Sequence, residues 1–160
     1  MTRPDVDPAE FRQLLGRFAT GVTVLTALDG LGRPHGMTAS SLSSVSLQPP
    51  LVLLAIEKAA VMHPVILESL RFVVNILDEG QETLSRRFAR KEDDRFDGIG
   101  YTATADGVPV LDGVLAHIEC DRWALHDAGD HTVVVGRVTG GAAREGRPLA
   151  YFRGGYTGLA

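Results

Sequence analysis

Cysteine is nearly absent from this chain. Cys120 stands alone, so no internal disulfide can form, and a single thiol fits a reducing compartment. Long apolar runs are missing too: nothing approaches the ~20 residues that a membrane-spanning helix needs. Positive charge is not in excess. Lys and Arg total 16 against 20 Asp and Glu, a net charge of −4, which leaves no electrostatic footprint for nucleic acid or an anionic membrane. No Gly-x-Gly-x-x-Gly fingerprint occurs, which weakens any reading as a doubly wound dinucleotide-binding sheet. The five histidines are scattered without metal-ligand spacing, and no metal site is expected. The serines have no visible base and orienting acid for triad chemistry.

The remaining composition describes one domain. At 160 residues, 44% hydrophobic and 22% charged, the chain can bury a core without staples. Residues 1–9 read as a disordered lead: Met1-Thr2-Arg3-Pro4-Asp5-Val6-Asp7 carries acids and no apolar core, unlike a secretory leader. A domain over residues 10–157 follows, and the expected location is cytoplasmic.

Pro8 to Thr20 reads as an amphipathic helix, capped by Asp7, with Phe11, Leu14, Leu15 and Phe18 at i, i+3, i+4, i+7. β-branched residues make Thr20–Leu28 a strand, and Asp29-Gly30 opens a hairpin turn. The returning strand is rich in hydroxyls: between Gly36 and Pro50 lie Thr38, Ser40, Ser41, Ser43, Ser44 and Ser46. Leu51–Ile56 is an apolar run expected to be buried on both faces. Short helices are expected at Val61–Leu70 and Gln81–Arg90, with a strand at Arg71–Leu77 between them. Lys91–Pro109 reads as a long loop, a flap or substrate-side insertion. Paired strands at Val114–Leu125 and Thr132–Val138 and a last short strand near Leu149–Phe152 complete the chain. Hairpin spacing with few helices argues a mainly β, antiparallel barrel with peripheral helices.

The hydroxyl-rich stretch has two readings. Its hydroxyls can donate and accept, and its small side chains leave backbone N–H groups uncovered, as a flat polar heterocycle and its phosphate require. They can equally satisfy neighbouring backbone in a small barrel.

Phe18-Ala19-Thr20-Gly21-Val22-Thr23-Val24-Leu25-Thr26, Gly36-Met37-Thr38-Ala39-Ser40-Ser41 and Pro49-Pro50 together resemble the flavin reductase family, which has an FMN-binding split barrel. Phe72-Val73-Val74-Asn75-Ile76-Leu77, Arg87-Phe88-Ala89, Gly129-Asp130-His131 and Tyr151-Phe152-Arg153-Gly154-Gly155-Tyr156 agree in order. The resemblance implies an antiparallel Greek-key split barrel that uses NADH or NADPH to reduce FMN, or FAD, by hydride transfer to N5. It also implies a homodimer, and a separate monooxygenase component that receives the reduced flavin. A split-barrel oxidase and a non-catalytic flavin- or haem-binding protein are the alternatives. Such chemistry is carried by the cofactors, and the protein's task is positioning, so no catalytic side chain is expected.

By the same resemblance, Met37, Thr38, Ala39, Ser40 and Ser41 would bind the flavin, followed by Ser44 and Val45, then Glu57 and Lys58. Asn75 would hydrogen-bond the ring or ribityl chain, or else be a satisfied polar residue of a strand. Arg87, Phe88, Ala89 and Arg90 match a phosphate-contacting segment. Arg86, Arg87, Arg90 and Lys91 can also be read as a solvated helix end with cations on the favourable side of the dipole. Tyr156 would pack on the flavin side. Asp130 and His131 would stand near the nicotinamide. Ala59-Ala60-Val61-Met62-His63 departs from the more hydroxyl-rich segment of the family, which puts flavin contacts there in question.

Overall fold

The chain is described from a computed structural model for residues 3–160; residues 1–2 of the expected lead lie outside the described residues. Residues 3–7 have no regular structure, and helix α1 (Pro8–Leu15) begins within the stretch read as a lead. Asp7 caps it as expected, its Oδ1 accepting from Ala9 N at 2.6 Å and Glu10 N at 3.3 Å. The helix stops five residues short of Thr20, and none of its residues is buried.

Twelve strands follow in chain order: β1 (Thr20–Gly21), β2 (Thr23–Leu28), β3 (Pro34–Ala39), β4 (Ser43–Leu47), β5 (Pro50–Glu57), β6 (Arg71–Ile76), β7 (Tyr101–Ala103), β8 (Pro109–Leu111), β9 (Ala116–Ala128), β10 (His131–Ala143), β11 (Ala150–Phe152) and β12 (Gly155–Thr157). Helix α2 (Met62–Glu68) lies between β5 and β6, and α3 (Glu82–Phe88) between β6 and β7. Seven strands form one antiparallel sheet in the order β3-β2-β6-β9-β10-β5-β4. The hydroxyl-rich stretch is therefore two strands at opposite edges of this sheet, not one.

Only Ser40, Ser41 and Leu42 separate those edges in sequence. The link from Ala39 to Ser43 spans at most about 14 Å, whereas six strand spacings in a flat sheet cover about 29 Å. The sheet must roll until its edges approach, which makes it an antiparallel Greek-key split barrel. Hydroxyls pin both ends of the link. Thr23 Oγ1 donates to Ala39 O at 2.8 Å, and Ser41 Oγ donates to Ala55 O (3.1 Å) while accepting from Ala55 N (3.0 Å). Since Ser43 pairs with Leu53, Ser41 supplies with its side chain the next rung of the β4–β5 ladder.

Inside the roll, Leu25, Leu54, Ile56, Met62, Ile66, Phe72 and Val74 form one buried cluster. Val22, Val24, Leu77, Phe88, Leu111 and Leu149 form a second. Each large apolar side chain so buried contributes about 1.5–3 kcal/mol. β5 alternates rather than burying both faces: Val52, Leu54 and Ile56 point inward, and Leu51, Leu53 and Ala55 are half-buried. The stretch expected as a flap is partly core. Phe96 packs edge-on against Phe88 with centroids 5.1 Å apart, Val108 is buried, and β7 pairs with β8.

Asn75 is a structural residue, contrary to its expected place beside the flavin. It is fully buried; its Nδ2 donates to Val24 O (3.0 Å) and Thr26 Oγ1 (3.1 Å), and its Oδ1 accepts from Leu111 N (2.9 Å). Thr26 Oγ1 donates in turn to Pro109 O at 2.6 Å, so this pair holds β8 against the sheet. Removing Asn75 strands the buried Leu111 N–H, and Asn75→Ala is expected to cost about 1–3 kcal/mol of stability in urea unfolding. Flavin affinity of the folded protein should not change; a weakened flavin Kd at unchanged stability would return Asn75 to the site.

Candidate functional site

Where β3, the end of β5 and the end of α3 meet, they enclose a cavity of about 270 Å3. Met37 and Thr38 come from β3, Glu57 from β5, Phe88 and Ala89 from α3, and Arg90 and Arg95 from the segment that follows. The floor between β5 and α2 is Ala59, Ala60, Val61 and Met62. The small side chains of Ala59 and Ala60 keep the space open, so the hydroxyl-poor segment shapes the cavity without lining it with hydroxyls. The barrel needs a glycine on this wall. A Cβ on Gly36 would lie 2.6 Å from Phe88 Cε1, so only hydrogen lets β3 approach the ring.

The cavity gathers six of the residues expected at the flavin: Met37, Thr38, Glu57, Phe88, Ala89 and Arg90. Thr38 is fixed by its Oγ1 donating to Ser85 O at 2.6 Å. Ala39 is buried at the end of β3. Other expected residues fall elsewhere. Ser40 is exposed and lines a separate space of about 300 Å3 with Phe11, Phe18, Thr20 and Tyr151. Ser41 is spent on Ala55, and Ser44 and Val45 are exposed on the edge strand β4 at its bulge. Lys58 reaches away from the cavity to the β9–β10 turn: its Nζ donates to Gly129 O at 2.7 Å and pairs with Asp127.

Arg87 does not face the cavity either. Its guanidinium donates to the carbonyls of Arg95 (2.8 Å), Asp94 (2.9 Å) and Asp97, closing the loop after α3. Tyr156 is tied to α3, its hydroxyl 2.8 Å from Ser85 Oγ and its ring 4.8 Å beneath the Arg86 guanidinium.

Sequence reasoning missed Arg95. It is 7% exposed and reaches the cavity from a stretch read as a loop. Nε donates to Glu92 O (3.0 Å) and Nη1 to Gly36 O (2.9 Å), both uncharged acceptors. The nearby carboxylates of Glu92 and Asp94 pair with Arg90 instead. A buried guanidinium without a counter-ion is costly unless an anion completes it. Its Asp-Arg-Phe setting, with Phe96 packed on Phe88, was the available signal: an aromatic anchor next to a cation argues a docked segment rather than a free flap.

At the other rim stands the β9–β10 turn, Gly129–Asp130. Gly129 takes φ 65°, as a two-residue hairpin turn requires at its first position. His131 is paired in register with Glu57, so the turn and the cavity share the end of β5. Its Nδ1 lies 2.7 Å from Asp130 Oδ1. That contact, and the charge of Lys58 behind it, hold the Asp130 carboxyl below its ordinary range. Cys120 is sealed on β9, and burial pushes its thiol up to about 12, far from any reactive role. Among the described residues no group of three or more His, Cys, Asp or Glu could hold a metal ion. Among the described residues no helix is long and apolar enough to cross a membrane.

Residues 15–160 match the flavin reductase like domain family. The chain is 44% identical over 155 residues to the reductase subunit of a flavin-dependent monooxygenase from Rhodococcus jostii, covering 96% of this chain and 79% of that protein. It is 47% identical over 146 residues to an NADH-dependent FMN reductase from Agrobacterium fabrum, covering 91% and 83%. An NADH:FAD oxidoreductase from Streptomyces globisporus, solved in complex with NAD and FAD fragments, superposes with a TM-score of 0.89 at 38% identity, over 99% of this chain and 98% of that one. With the split barrel and the cation-lined cavity, these matches assign the chain: it belongs to the flavin reductase like domain family of oxidoreductases.

Proposed function

We propose that this protein is an NAD(P)H-dependent flavin reductase that supplies reduced FMN or FAD to a separate monooxygenase component. The observation that carries this reading is the buried, counter-ion-free guanidinium of Arg95 on the wall of the β3–β5–α3 cavity. It fits a ligand that combines a flat ring with a phosphate. Bound flavin and nicotinamide supply the redox chemistry, a hydride passing from C4 of the nicotinamide to N5 of the flavin. The names of relatives from Rhodococcus jostii and Agrobacterium fabrum support the same activity and an oxygenase partner.

In this reading Met37, Thr38 and Ala39 present β3 backbone and small side chains to the ring, and Phe88 and Ala89 close the opposite wall. Arg95, with Arg90 and Lys91 at the rim, receives the phosphate; a guanidinium fork suits it better than a point charge. Asp130 and His131, across the end of β5, face the nicotinamide. Ser40, Ser41, Ser44, Val45 and Tyr156 support the barrel and its rim rather than the ring. Positioning is the protein's whole contribution, since the reacting atoms must be held about 3–3.5 Å apart.

The helix α1 supports a homodimer. Phe11, Leu14 and Leu15 on the helix, and Phe18 just beyond it, are all more than half exposed, and apolar surface of this kind is normally covered. Light scattering should give twice the chain mass. Leu14→Glu should shift it to one chain, and a monomeric wild type would remove the dimer.

The activity test is nicotinamide oxidation, followed by loss of its absorbance, with and without added FMN, FAD or riboflavin. Rapid oxidation that depends on added flavin is expected, and the best pair identifies both substrates. A protein that oxidises neither NADH nor NADPH and binds no flavin would overturn the reading. For the cavity, Arg95→Gln should weaken FMN binding by about tenfold or more, whereas Arg95→Lys should retain most of it, because a charge-assisted contact is worth about 1.5–3 kcal/mol. An unchanged FMN Kd in folded Arg95→Gln would move the phosphate elsewhere.

A further inference from the structure

The β9–β10 ribbon ends in solvent. Asp127 and Asp130 have side chains 82% and 87% exposed, and no side chain contacts a Cβ position built on Gly129. Beyond the His131–Glu57 pair the turn has no further strand beside it, and a tip with so little packing frays readily, because little apolar surface holds it. Yet this tip carries His131, the side chain that the proposed function sets beside the nicotinamide.

One residue holds the tip from outside the ribbon. Lys58 follows the last residue of β5, and its backbone N–H donates to Asp130 O at 2.9 Å. Its ammonium donates to Gly129 O at 2.7 Å and pairs with Asp127. Lys58 therefore grips the end of β9, the turn itself and the residue preceding His131. Two of the three ammonium donors are committed to these acceptors, so little of the charge is left for a phosphate. Strand alternation explains the direction: Glu57, one residue earlier, lines the cavity, and Lys58 points to the opposite side. A second tie, His63 Nε2 to Thr132 Oγ1 at 2.9 Å, fixes the residue after His131 to α2.

We propose that Lys58 is a positioning residue for the nicotinamide, gripping the Gly129–Asp130 turn so that His131 stands at the rim of the flavin cavity. The inference rests on the reading that His131 engages the nicotinamide. It replaces the expectation that Lys58 contacts the flavin, and it predicts a specific split between the two substrates.

The test uses the full chain as wild type, Lys58→Met, Lys58→Arg, His131→Ala and the Lys58→Met/His131→Ala pair. NADH oxidation is measured at saturating FMN, with FMN Kd read separately by fluorescence and amide exchange followed over residues 127–131. Lys58→Met should raise the NADH KM about three- to tenfold, the range of one charge-assisted contact partly screened by solvent. kcat and FMN Kd should stay within about twofold, exchange at the turn should quicken, and Lys58→Arg should restore the KM. The double variant should be no worse than His131→Ala, because both act through one group. A rise in FMN Kd at constant NADH KM would make Lys58 a flavin ligand and overturn the inference. So would an unchanged NADH KM in Lys58→Met when His131→Ala is impaired. An unchanged NADH KM in His131→Ala would instead overturn the reading of His131 beneath it, while the exchange data still report whether Lys58 holds the turn.

Discussion

A three-residue connection between the two edges of a seven-stranded sheet governs this molecule. It is too short to cross a flat sheet, so β3 and β4 must be drawn together and the sheet rolled. The roll places Met37 and Thr38 on β3 opposite Glu57 at the end of β5, and the gap between them is the cavity. Of the link only Leu42 packs against the core, and the rest of its hold is polar. Hydroxyls do that work by standing in for backbone groups, as Ser41 does on Ala55 and Thr23 on Ala39. Along Gly36–Pro50, Ser41 is thus explained first by closure and Thr38 by its bond to α3, and only second by a ligand.

That order of explanation accounts for what could be read from the sequence and what could not. The Asp7-Pro8 start of α1, the β2–β3 hairpin, both short helices and the long β9–β10 pair follow from local rules of capping, alternation and turn chemistry, and they stand where those rules put them. Whether a face is covered is not local. The apolar stripe of α1 is legible, but its exposure is a property of what else folds against it, and among the described residues nothing buries it. The site was half legible for the same reason. Met37, Thr38, Glu57, Phe88, Ala89 and Arg90, which the resemblance put at the flavin, line one cavity. Asn75 sits in an equally suggestive segment, yet its amide is wholly used between Val24, Thr26 and Leu111.

Two arginines eight residues apart make the limit concrete. Arg87 is on the helix that carries the recognisable segment, and Arg95 lies in a loop. By composition and charge they are equivalent. In the fold, Arg87 spends its donors on three loop carbonyls and stabilises the segment that delivers Arg95 to the cavity wall. A guanidinium bound to carbonyls keeps its full charge, since those partners neutralise nothing. Both arginines donate to carbonyls, and only Arg95 lines the cavity; main-chain geometry decides that, and charge alone does not encode it.

The end of β5 joins the two halves of the proposed reaction. Consecutive side chains of a strand point to opposite sides, so Glu57 enters the cavity proposed for the flavin while Lys58 grips the hairpin that bears His131. The Glu57–His131 register then fixes the distance between the two substrate sides through the backbone ladder rather than through flexible side chains. Hydride transfer tolerates little error in that distance. A ladder anchored inside the rolled sheet supplies the needed stiffness, but its last rung is exposed and would fray without a tie. A lysine one residue past the strand is the shortest such tie available: it extends the ladder with its own N–H to Asp130 and crosses the turn with its ammonium. Closure of the barrel sets the cavity, and on the proposed reading the tie at its rim sets what can meet the flavin there.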